Sequence, residues 1–160
     1  MDSQNRIDLS SYRLKKAEDN LSASKLLYDN NDFSGSINRS YYAIFHAVRA
    51  VTALDGFDSK KHSSIIGFFN KTYVKSNAVS RECSKIIRNA FETRNRADYD
   101  DFYIVDKSEA LEQIENANIF ITEISSYIQS RRIRLITDEA YADLEEPAPT
   151  IPPVSRGRGR

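Results

Sequence analysis

A chain of 160 residues, 40% hydrophobic and 29% charged, suffices for one domain with a sizeable core and hardly for two. Lys plus Arg and Asp plus Glu balance at 23 each, which excludes a global basic field for nucleic acid, so any anion site has to be a local cluster. A lone Cys83, no apolar run near the ~18 residues that span a bilayer and a polar start unlike a signal peptide predict a cytoplasmic protein without disulfide, membrane segment, metal or cofactor.

All four prolines fall between Pro147 and Pro153, leaving long helices free to form before them. The first helix is predicted to start after a Ser10/Ser11 cap and to run to about Asp29, with Leu14, Ala17, Leu21, Ser24 and Leu27/Tyr28 at helical spacing. Asn30-Asn31-Asp32 is a turn. The second helix runs from about Phe33 to Leu54 and ends at Asp55-Gly56-Phe57. A shorter third covers His62 to Tyr73. Ser80 caps a fourth that reaches about Asp98, and a fifth starts near Lys107-Ser108 and ends near Arg131. With no convincing strand alternation, the fold class is all-α: an antiparallel bundle of four to five helices over residues 10–131. From about Thr137 an acidic stretch gives way to a Pro-rich and Arg-Gly-rich end, which reads as a disordered C-terminal tail over residues 137–160.

Helix two carries the most informative surface. Projected at 100° per residue, Ile37, Tyr41, Ile44, Phe45 and Val48 form a bulky core face, and Ser36, Ala43, Ala47 and Ala50 a stripe of small residues for close helix approach. The third stripe is Arg39, Tyr42, His46 and Arg49. Arg39 and His46, seven residues apart, lie on nearly the same face and can share a phosphate-sized anion. An interface stripe, or a histidine capped by a neighbouring helix, is the alternative.

Helix four holds a second anomaly. Cys83, Ile87, Ala90 and Phe91 define its apolar face, and the same register brings Arg94 and Asp98 onto the continuation of that face. A charged pair entering a core stripe has to be paired or face a cleft. Either the pair locks helix four to a neighbour, or Arg94 binds phosphate while Asp98 orients it. His62, at the start of helix three, serves as a cap or packing element unless it turns towards the polar stripe of helix two.

Three blocks, Arg39 to Ala47 (R-x-Y-Y-x-x-F-H-A), Lys60 to Ser63 (K-x-H-S) and Arg94 to Tyr103 (R-x-x-A-D-Y-D-D-F-Y), together resemble a prokaryotic subgroup of the HEPN superfamily, named for higher eukaryotes and prokaryotes nucleotide binding. The resemblance implies a helical bundle that is a homodimer, commonly encoded beside a minimal nucleotidyltransferase as a toxin–antitoxin pair. Active members are metal-independent endoribonucleases with an R-N-x-x-x-H motif on the fourth helix. Here Arg94-Asn95 stand in place, but Tyr99 falls where that histidine would be.

Two functions follow from this reading. In the first, a toxin cleaves RNA, with His46, Arg39 and Arg94 catalytic and Tyr42, Arg49, His62, Asn95, Asp98 and Tyr99 binding RNA or nucleotide. In the second, a non-catalytic HEPN subunit binds nucleotide or RNA and is the partner, and an adenylylation target at tyrosines such as Tyr99 or Tyr103, of the nucleotidyltransferase.

Overall fold

The structure, a computed structural model, describes residues 1–145. It contains α1 (Ser3–Asp29), α2 (Phe33–Leu54), α3 (His62–Phe69), α4 (Arg81–Tyr99) and α5 (Lys107–Glu145), with no strand among the described residues. The fold is the expected all-α bundle, and the reason lies in the faces. α2 buries two of its three stripes: Ile37, Tyr41, Ile44, Phe45 and Val48 on one side, and Ser36, Ala43, Ala47 and Ala50 on the other. It is the central helix, packed on α1, α4 and α5.

The turn between α1 and α2 fixes their antiparallel pairing. Asn31 adopts a left-handed φ of 62°, which Asn tolerates better than most side chains. Asp32 then caps α2 by accepting from the Gly35 amide at 2.9 Å. Gly35 is needed for this cap, because a Cβ there would lie 2.5 Å from Asp32 Oδ2. Small residues let the two helices close up: Ser24 Oγ donates to the Ser36 carbonyl at 2.8 Å and lies 2.6 Å from Ser40 Oγ. At the other end of α2, Gly56 (φ +69°) turns the chain away. There Asp55 accepts from Arg131 of α5 at 2.8 Å and from the Tyr73 hydroxyl, tying three elements together. Burial alone would raise the Asp55 pKa, but the hydrogen bonds from Arg131 and Tyr73 hold it below the usual carboxylate range.

Several boundaries differ from the sequence reading. α1 begins at Ser3, capped by Asp2, whose carboxylate accepts from the Asn5 amide at 2.7 Å. Ser10 and Ser11 lie within the helix. Ser10 is fully buried, and Ser11 Oγ bonds back to the Ile7 carbonyl at 3.0 Å, an option that lets serine sit in a helix instead of capping it. The third helix ends at Phe69 and continues as a wider π turn over Asn70–Val74, which carries the buried Tyr73 to Asp55. On α4, Ile86 and Thr93 join Cys83, Ile87 and Ala90 in the core, whereas Phe91 is 39% exposed.

The largest difference is α5. It passes Arg131 and Thr137 and remains helical to Glu145, because acidic residues are not helix breakers and the first proline is Pro147. Residues 137–145, assigned from composition to the tail, are therefore helix. The remainder of the expected tail, 146–160, lies outside the described residues. No helix among the described residues is long and apolar enough to cross a membrane.

Candidate functional site: the polar stripe of α2 and its two flanks

The third stripe of α2 stays at the surface between α1 on one side and α3 and α4 on the other. On the α1 flank, Lys16, Asn20, Asn38, Arg39, Tyr42 and His46 line a cleft of about 590 Å3. Arg39 and His46 thus share one cavity. Arg39 Nη1 donates to Asn20 Oδ1 at 3.3 Å, and no carboxylate pairs with Arg39 or Lys16 among the described residues. His46 is half-buried, and its Nδ1 is buried without a hydrogen-bond partner. Burial, followed by the positive charges of Lys16, Arg49 and Arg13 and the neighbouring His62, pushes the His46 pKa down to about 4. The imidazole is neutral at pH 7 and so can accept a proton.

The other flank is a network of paired charges, although Nε of Arg94 and Nε of Arg49 are buried without a well-aligned hydrogen bond. Arg94 Nε lies 3.0 Å from Asp98 Oδ2 and its Nη2 donates to the Tyr42 hydroxyl at 3.3 Å. Its guanidinium sits 5.2, 5.6 and 5.7 Å from the ring centres of Tyr41, Tyr42 and Tyr99, the geometry of cation–π contact. Asp98 also accepts from Asn38 Nδ2 at 3.1 Å, which pins α4 to α2. Asn95 accepts from Arg94 Nη1 at 3.4 Å, and Tyr99 is largely exposed over the guanidinium.

His62 does turn towards α2. Its ring stacks on Phe45 with centroids 3.9 Å apart, and its Nδ1 lies 2.9 Å from the Tyr41 hydroxyl. Burial, only partly offset by the Arg94 charge, pushes the Tyr41 phenol up to about 12. A protonated phenol donating to Nδ1 satisfies this pair and leaves Nε2 of His62 to carry the proton. Burial, then Arg94 and Arg49, lowers the His62 pKa.

Arg49 is placed differently from the other members of its stripe. Its Nη2 lies 3.1 Å from both carboxylate oxygens of Asp58, which also accepts from Arg13 Nη2 at 2.8 Å. Arg13 in turn donates to the Arg49 carbonyl at 3.2 Å. Burial would raise the Asp58 pKa, but the Arg13 hydrogen bond and the backbone amide of Ser59 bring it below the usual range. The Arg49 charge is thus committed to fastening the α2–α3 loop.

Tyr42 stands between the two flanks. Its ring centroid is 6.3 Å from those of both His46 and His62, and its hydroxyl is held by Arg94. Arg94 therefore reaches the α2 stripe at Tyr42, while His46 opens on the α1 side. The sequence reading missed Lys16 and Asn20, one helical turn apart on α1, and Asn38, which immediately precedes the motif of helix two. It also missed Asp58, an isolated acid in a loop without any pattern to mark it. Among the described residues no three His, Cys, Asp or Glu side chains converge as a metal site would require.

Comparison with known proteins decides the family. Residues 10–127 match the family model described as HEPN domain. The chain belongs to the HEPN family. Among HEPN relatives, the chain is 32% identical over 120 residues to the Methanocaldococcus jannaschii protein named "Putative toxin MJ0142", covering 75% of this chain and 82% of that one. A second protein of that organism, "Putative toxin MJ0605", is 32% identical over 116 residues, covering 71% and 84%. A Thermotoga maritima "UPF0332 protein" is 30% identical over 118 residues, covering 74% and 89%. The matched HEPN segment contains both flanks of the α2 stripe and ends before the last turns of α5.

Proposed function

We propose that this HEPN protein is the toxin component of a toxin–antitoxin module and acts on RNA, as a metal-independent endoribonuclease or as a descendant of one. The α1–α2 cleft carries the reading: among the described residues no carboxylate pairs with Lys16 or Arg39, and a neutral His46 opens between them. RNA supplies its own nucleophile, so cleavage needs a base, a proton for the leaving oxygen and positive charge for the phosphorane-like transition state. Neutral His46 takes the proton of the 2′-OH as the 2′-oxygen attacks phosphorus. The P–O5′ bond breaks, a 2′,3′-cyclic phosphate forms, and the imidazolium returns the proton to the 5′-oxygen. Arg39 and Lys16 hold the non-bridging oxygens, and Tyr42 offers a face for a base.

In this reading Arg94 is a positioning residue: with Asp98 it sets the Tyr42 hydroxyl that walls the cleft. Relatives named as toxins support the toxin assignment. The partners we assign are a second copy of the chain and a nucleotidyltransferase antitoxin, meeting in the cytoplasm.

One observation favours the non-catalytic alternative. Arg94 of the Arg94-Asn95 motif is paired with Asp98 and lies against three tyrosines, and Tyr99 occupies the place of the family histidine. Incubation of purified protein with mixed RNA in EDTA separates the two. Cleavage that disappears in His46→Ala supports the nuclease. Tight RNA binding without cleavage at micromolar protein selects the binding subunit.

A further inference from the structure

The outer face of α4 carries charge that folding does not use. Arg81, Lys85 and Arg88 follow one another at steps of four and three, on one face of the first two turns, rising about 10 Å along the axis. Cations at a helix N-terminus oppose the macrodipole, and like charges one turn apart repel. Glu82 is the only acid in the first turn. Among the described residues no carboxylate pairs with these three side chains, Glu82 and Glu92 of the same helix included. With Lys75, at the end of the π turn, they line a cavity of about 410 Å3. In a chain without net charge, cations gathered around one hollow at a cost to their own helix mark a local anion site.

The hollow continues towards the cleft. Ser84 and Arg88 also border a second cavity, of about 610 Å3, between α3 and α4. Ile66, Ile87 and the half-exposed Phe91 make its walls apolar. Gly67 adds no side chain over it, with no heavy atom within 4 Å of where a Cβ would stand. At its far end is His62, whose ring centroid is 6.3 Å from that of Tyr42, which lines the α1–α2 cleft. Cations, an exposed aromatic face and the cleft thus follow in one line. Phosphates suit the first, and an unstacked base suits the second. A duplex would offer its phosphates but keep its bases stacked. Continuity with the cleft favours a strand over an acidic peptide, because only a strand engaged at His46 has reason to continue over Tyr42 and His62.

We propose that the α3–α4 groove binds the single-stranded RNA that flanks the segment held in the α1–α2 cleft. Arg81, Lys85 and Arg88 take its phosphates, and Phe91 takes the face of a base. The inference rests on the RNA reading of the cleft for the identity of the strand. The groove supplies affinity and a preference for unpaired RNA, whereas the chemistry stays at His46. None of the groove residues lines the cleft, so the two sites can be altered separately.

Binding of the full chain to a 2′-O-methyl strand of about 12 nucleotides tests the proposal, because such a strand cannot be cleaved and reports binding apart from chemistry. Lys85→Glu with Arg88→Glu should weaken binding by at least about tenfold and flatten the logarithmic salt slope by about 1.4, the release expected for two phosphates of a single strand. Both side chains are exposed, so helicity by circular dichroism should hold. Phe91→Leu should weaken binding by about fivefold or more, and Phe91→Trp should restore it, since stacking and not apolar bulk is what the base meets. A duplex of the same sequence should bind more weakly than the strand. Charge reversal without effect, Leu and Trp variants that bind alike, a duplex as tight as the strand, or displacement by polyglutamate at equal charge each overturns the proposal, the last by marking a surface for an acidic protein. Cleavage of a dinucleotide in EDTA reports on the cleft alone and should be unchanged by the charge reversal. If the wild type leaves the dinucleotide intact, the cleft reading fails while the binding measurements still decide the groove.

Discussion

The two flanks of the α2 stripe are built from the same residue types and do opposite things with them. On the α3/α4 flank Arg94 has Asp98, Arg49 has Asp58, and His62 has Tyr41. On the α1 flank, among the described residues, no carboxylate pairs with Lys16 or Arg39, and His46 has a buried nitrogen with no partner. A charge-paired network spends its charge on holding helices together. An unpaired one keeps charge for something that arrives, and burial, with the Lys16 charge next, keeps the His46 imidazole neutral beside it. The difference teaches that an arginine–histidine stripe is functional or structural according to the element it faces.

Substitution should separate the flanks, and the largest effect belongs to His46. His46→Ala should lower RNA cleavage in EDTA by about 100-fold or more while the melting temperature holds, as expected for a lost acid–base group. Equal activity would dissolve the comparison. Arg94→Ala should do the reverse, costing about 2–3 kcal/mol in urea unfolding because Asp98 is left half-buried and unpaired. Arg94→Lys should recover only part of this, since an ammonium cannot bond Asp98 and Tyr42 while lying among three rings. Arg39→Ala should weaken RNA binding by about tenfold and reduce the salt slope by about 1, without altering stability.

The smallest effect is one of pH. The folded His46 pKa of about 4 lies below its unfolded value, so between them the unfolded chain binds more protons and stability falls as pH drops from about 6.5 towards 4. Proton NMR should find the His46 midpoint near 4, and the acid limb of any RNA cleavage should follow it. A His46 midpoint near 6.5 would place the imidazole in open solvent and remove the contrast between the flanks.

Much of this was legible in the chain because helical periodicity is a local property. The three stripes of α2 follow from spacing, and Phe33–Leu54 emerges with its expected bounds because Asp32 and Gly56 punctuate it. Arg94 and Asp98 were marked by their intrusion into an apolar register, and the structure shows them paired and bridged to Asn38. Boundaries set by side-chain competition were less legible. Ser10 and Ser11 have the residue type of a cap, yet Asp2 takes that role and lets the helix run through them. The acidic run after Thr137 resembles a tail in composition, yet it continues α5.

The sequence by itself determined the helical class and the faces each helix offers, which depend on residue order along one helix at a time, and the family, which depends on the order of motifs along the chain. Only the tertiary structure decided which charges are spent. Asp58 reaches Arg13 and Arg49 from a loop, Tyr42 stands between His46 and Arg94, and Lys16 with Asn20 completes a cleft from another helix. Each of these arrangements joins side chains from different elements of the fold. Coulombic and hydrogen-bonding energies depend on separation in space, about which the spacing along a single helix is silent.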